Sequence, residues 1–118
     1  MAASESFEEF VKLTRSTAEC DEGPEVLLRP GLLTVRYDVE IDAGRAWTPL
    51  RFAGAVALRV IPEPAVSLLT ASAYSKVGVI KDSEWLASLL RAPGDGSLPQ
   101  DLKHFVVFFD HYGSVETI

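Results

Sequence analysis

Cysteine is nearly missing from this chain. Cys20 is the single one, so no internal disulfide can form and no cysteine-based zinc cluster is available. Imidazole is almost as scarce: His104 and His111 are the only side chains that titrate near neutrality. No apolar run reaches the roughly eighteen residues of a membrane helix. The start, Met1-Ala2-Ala3-Ser4-Glu5-Ser6, has neither the basic region nor the apolar core of a secretion signal. Cations are the minority charge, with 11 Lys and Arg against 17 Asp and Glu, a net charge of −6 and a pI near 4.8. That balance excludes a strongly basic phosphate-binding face, and with it nucleic acid as a partner. A soluble protein in the reducing cytoplasm is expected, with no membrane association. Catalytic and cofactor signatures are missing too. No serine lies in a Gly-x-Ser-x-Gly elbow, and no glycine pattern matches a phosphate loop.

What the chain does have is alternation. Leu33, Val35, Tyr37, Val39 and Ile41 are apolar, while Thr34, Arg36, Asp38, Glu40 and Asp42 between them are polar. This is the period of a half-buried strand. Leu50 to Val60 repeats it, with Leu50, Phe52, Gly54, Val56, Leu58 and Val60 on one face. The two runs predict an antiparallel hairpin across 43–47. The register expected from loop geometry sets Val35 against Val56, Tyr37 against Gly54 and Glu40 against Arg51, with Pro49 at the start of the second strand.

At 118 residues, one globular domain over 1–118 is the default. Ser6-Phe7-Glu8-Glu9 matches a capping box, and Phe7, Phe10 and Val11 follow helical spacing, so residues 5–16 read as an amphipathic helix. An acidic linker over 18–24 follows; its carboxylates lack the calcium-loop pattern. Val26-Leu27-Leu28 suggests a short strand before a Pro30-Gly31 turn, and Ile61 to Pro64 a stiff connection. Residues 65–75 fit helix and strand about equally. Val77 to Ile80 reads as a strand, after which Asp82 caps a helix whose buried stripe is Trp85, Leu86, Leu89 and Leu90. The stretch 92–101 is loop-like. His104 to Phe109 is apolar on both faces, the profile of an interior strand with a layer on each side or of a strongly curled sheet. Asp110-His111-Tyr112-Gly113 then makes a hairpin turn. The whole describes an α+β fold, with a mainly antiparallel sheet of about five or six strands and two helices.

Function is less legible. Asp38, Glu40 and Asp42 share a wet face with arginines at hand, and Cys20 lies among carboxylates that blunt its nucleophilicity. His104 and His111 are too far apart along an extended run to share one metal. No catalytic set, cofactor or metal site is expected. Instead Ala53, Ala55 and Ala57 form a small-residue stripe bracketed by Arg51 and Arg59, which either a helix of the chain covers or a partner does. A small binding domain acting through protein–protein contact, with another protein or a second copy, is the leading expectation. One alternative is an apolar ligand pocket in a curled sheet, lined by Tyr37, Trp47 and Phe52. Another is an enzyme using His104 with Asp110 or Glu84.

Overall fold

The computed structural model describes residues 4–17, 23–42, 44–92, 94, 98–99 and 101–118. In chain order come β1 (Ser6–Lys12), β2 (Glu25–Arg29), β3 (Leu32–Ile41), β4 (Gly44–Ala53), β5 (Leu58–Pro62), α1 (Leu68–Ala71), β6 (Lys76–Lys81), α2 (Glu84–Arg91), β7 (His104–Phe109) and β8 (Gly113–Thr117). Two antiparallel sheets result, a larger one ordered β1-β6-β7-β8-β5 and a smaller one ordered β2-β3-β4. The α+β, mainly antiparallel reading with two helices therefore holds, with the strands divided between two sheets. Among the described residues no helix is long and apolar enough to cross a membrane.

The main core lies between the sheets. Leu33, Val35, Tyr37 and Val39 from β3 pack against Val77, Val107, Phe109 and Val115 of the larger sheet. Tyr37 and Phe109 meet edge to face, and the Tyr37 hydroxyl donates to the Arg15 carbonyl at 3.0 Å. Burying a tyrosine ring this fully requires such a partner for its polar end. On the opposite face of the larger sheet, Ala73, Ile80, Val106 and Phe108 form a second cluster with Leu69 of α1. β7 therefore has a layer on each side, which is why both of its faces are apolar.

Four local expectations are corrected. Residues 6–12 form strand β1, not a helix. Their phenylalanines and valine suit a pleated surface, and β6 supplies the partner: Glu8 pairs with Lys81 and Glu9 with Lys76 across the strands. The Phe7 ring fills the space left by Gly78, where a Cβ would overlap it. The β3–β4 hairpin is tighter than expected, joining Ile41 to Gly44 and setting Val35 opposite Leu50, Tyr37 opposite Thr48 and Glu40 opposite Arg45. Pro49 consequently sits inside β4, tolerated because β4 is an edge strand and its missing N–H costs no ladder bond on the open side. The run 50–60 is not one strand: the backbone turns at Gly54 (φ 74°), and β5 joins the other sheet beside β8. Finally, Ser83 and not Asp82 caps α2, its Oγ accepting from the Leu86 N–H at 3.0 Å while Asp82 takes a left-handed φ of 56°. On that helix Trp85, Leu86 and Leu89 are half-buried but Leu90 is exposed.

Candidate functional site

Two places concentrate chemistry. The first is a polar chain on the helix-covered face of the larger sheet. β8 places Glu116 beside Arg59 of β5, directly across the ladder, and next to Val106 of β7, so His104 lies diagonally within reach. His104 Nε2 lies 2.6 Å from Glu116 Oε1, and His104 Nδ1 lies 2.7 Å from Ser83 Oγ. Arg59 Nη2 donates to the same Glu116 oxygen at 2.9 Å, and Ser114 Oγ donates to the other at 3.0 Å. His104 and Glu116 are sealed at 2% and 1% exposure. Trp85 closes the top: its ring meets the His104 ring edge-on at 5.1 Å, and the Arg59 guanidinium lies 4.4 Å from its centre.

Burial by itself pushes the Glu116 carboxyl up, but the hydrogen bonds from His104, Arg59 and Ser114 with the Arg59 charge outweigh it and hold the group below its ordinary value. Glu116 is thus an anion that only accepts. His104 Nε2 therefore carries a proton, and in the neutral ring Nδ1 accepts from the Ser83 hydroxyl. One carboxylate, one imidazole and one hydroxyl stand in relay.

The second place is a groove at the open end of the sandwich, where β1 of one sheet and β4 of the other diverge. It encloses about 310 Å³, lined chiefly by Phe10, Val11, Leu13, Leu50, Phe52 and Phe105. Phe105 makes ring contacts with Phe10 at 5.3 Å and Phe52 at 5.8 Å, so the aromatic lining is continuous with the core. Yet Phe10 is 59% exposed and Val11 47%. Arg51 and Ala53 also line it, and the exposed Arg51 has no ion pair among the described residues.

The five residues expected to form one stripe are thereby separated. Arg51 and Ala53 reach the groove; Ala55 lines a neighbouring hollow of about 270 Å³ together with Phe52 and Ala53. Ala57 exchanges backbone bonds with Ile118, and Arg59 belongs to the buried chain. Chain reversal at Gly54 breaks the stripe. The three residues expected to line a ligand pocket do not converge either. Tyr37 is core, Phe52 lines the groove, and Trp47 lies on the outer face of the smaller sheet under the Arg36 guanidinium at 4.6 Å.

His104 does meet a carboxylate, but it is Glu116, not Asp110 or Glu84. Asp110 instead lies 3.4 Å from His111 in the turn. With Glu63 these two bring donor atoms within 4.8 Å of one another, the group among the described residues whose spacing could hold a cation; His111 is 81% exposed, which leaves that group weakly fixed. The carboxylates of the 18–22 linker lie outside the described residues. Glu116, Ser83 and Ser114 were missed because alternation along β8 assigns Glu116 to a wet face. The available signal was β7: a strand apolar on both sides implies that its neighbours' polar residues are covered as well. Comparison with family models, with curated proteins and with solved structures finds no match.

Proposed function

We propose that this is a binding domain whose contact surface is the groove between β1 and β4, and that its occupant is a bulky apolar side chain of a protein partner flanked by a carboxylate. The carrying observation is that an aromatic cluster of the core opens to solvent at Phe10, beside an arginine with no ion partner among the described residues. Exposed apolar surface backed by a well-packed floor is the arrangement of an interface hot spot, and Arg51 selects for negative charge next to the anchor. Pairing of strands edge to edge is not the mode. Pro49 interrupts β4, and the β1 register shifts between Glu9 and Val11, two devices that blunt an edge.

The test is fluorescence anisotropy with two labelled peptides, one presenting phenylalanine flanked by glutamates and the other by lysines. The wild type should bind the acidic peptide at least about tenfold more tightly, the range expected for one charge-assisted contact. Arg51→Glu should reverse that preference, and Ala53→Arg should abolish binding of both while leaving the melting temperature unchanged. Equal weak binding of both peptides, indifferent to either substitution, would sink the reading.

A further inference from the structure

Beyond that binding role, we infer that Ser83 is a nucleophile for acyl transfer, with His104 as its base and Glu116 orienting the base. The chain between Lys81 and Glu84 is a sharp strand–turn–helix: β6 ends, Asp82 adopts φ 56°, and α2 begins immediately after Ser83. This is the setting that projects a serine at the end of a strand and onto a helix N-terminus, reached here without flanking glycines. The hydroxyl donates to His104 Nδ1, Nε2–H donates to Glu116, and both contacts are short, at 2.7 and 2.6 Å. Ser83 Oγ keeps a second lone pair for the Leu86 N–H, which favours negative charge growing on the oxygen.

Two further observations point to a substrate. Ser83 and His104 line a cavity of about 610 Å³, whose other walls include Phe10, Leu86, Leu90 and Leu102. An apolar acyl chain fits that lining. The backbone N–H that follows the serine, that of Glu84, holds an anionic oxygen: the exposed Glu5 side chain reaches it through Oε2 at 2.9 Å. An N–H one residue after the nucleophile is where an oxyanion is received, and in the resting protein the Glu5 carboxylate is the group that accepts from it.

The substrate class is a small ester with an apolar acyl group. Ser83 Oγ forms a bond to the acyl carbon as its proton passes to His104 Nδ1, and the carbonyl oxygen becomes an oxyanion facing the Glu84 N–H in place of Glu5. The bond to the alcohol oxygen breaks as His104 returns that proton to it. Water, deprotonated by the same nitrogen, then attacks the acyl carbon and releases the carboxylic acid with Ser83 restored. Glu116 stabilises the imidazolium formed in both halves.

Diisopropyl fluorophosphate tests this on the full chain, since a reactive serine displaces fluoride and gains a defined mass. One adduct is expected, mapping to Ser83. Ser83→Asn, which retains a helix cap, should melt like the wild type yet take no adduct and lose p-nitrophenyl butyrate hydrolysis. His104→Gln should slow labelling by about a hundredfold or more, and Glu5→Ala should speed it up to about fivefold by vacating the Glu84 N–H. A folded wild type that takes no adduct, or an adduct that persists in Ser83→Asn, overturns the inference.

Discussion

Glu116→Ala is expected to destabilise the domain by about 3–4 kcal/mol, lowering Tm by roughly 10 °C or more. The figure follows from what is left behind. His104 Nε2–H and the Ser114 hydroxyl lose their acceptor at buried positions, and each orphaned buried donor costs about 1–3 kcal/mol. Arg59 adds less, because its side chain is 41% exposed and water can replace the lost carboxylate. Glu116→Gln, which keeps an acceptor while removing the charge, should lose about half as much. Urea unfolding of the three proteins at neutral pH measures the series, and a loss under 1 kcal/mol for the alanine variant would mean that the chain of bonds contributes little to stability.

The same residue dictates a pH dependence. Because the folded-state value lies below the ordinary 4.5, the contribution of Glu116 is complete above that pH, where the carboxylate is ionised in folded and unfolded chains alike. As pH falls below 4.5, the unfolded chain takes up its proton first, so stability declines until the folded value is passed. Glu116→Gln should flatten that decline relative to the wild type.

Gly113→Ala is expected to cost about 4 kcal/mol. Gly113 has φ 127°, and a methyl group there would overlap the Ile61 carbonyl oxygen and crowd the Glu63 N–H, which donates to Tyr112. Backbone strain and forced displacement of β5 from β8 each contribute about 1–3 kcal/mol. Gly31→Ala is the control. Its φ is 78° but its surroundings are open, so only the backbone penalty of about 1 kcal/mol applies. Equal losses at the two positions, measured by thermal unfolding, would show that close approach at Gly113 is not the determinant.

Strands and turns whose determinants are local were legible. β3 alternates because one face packs and the other is wet, β7 is apolar twice over because it is covered twice, and the 110–113 turn has its aspartate and glycine where a turn needs them. Elements whose state is decided at a distance were not. The capping box at Ser6 and Glu9 describes a sound helix start, but Phe7 finds Gly78, 71 residues away, and the pairing with β6 prevails. The break at Gly54 is hidden because alternation continues unchanged through it, β4 and β5 obeying the same period in different sheets. The relay of Ser83, His104 and Glu116 joins three segments that sequence order keeps apart, and its arginine was noticed only as one end of an alanine stripe.

The order of the strands also sets when the domain can assemble. The smaller sheet uses consecutive strands joined by two short turns, so residues 25–53 can zip together from local contacts as soon as they are made. The larger sheet brings β1, the first strand of the chain, to β6, while its central strand is β7, close to the end. Until β7 and β8 emerge, nothing joins the β1–β6 pair to β5, and their apolar faces wait uncovered. Assembly is therefore fast over residues 25–53 and limited afterwards by long-range closure, which makes the nascent chain most prone to aggregation just before residues 104–118 are synthesised.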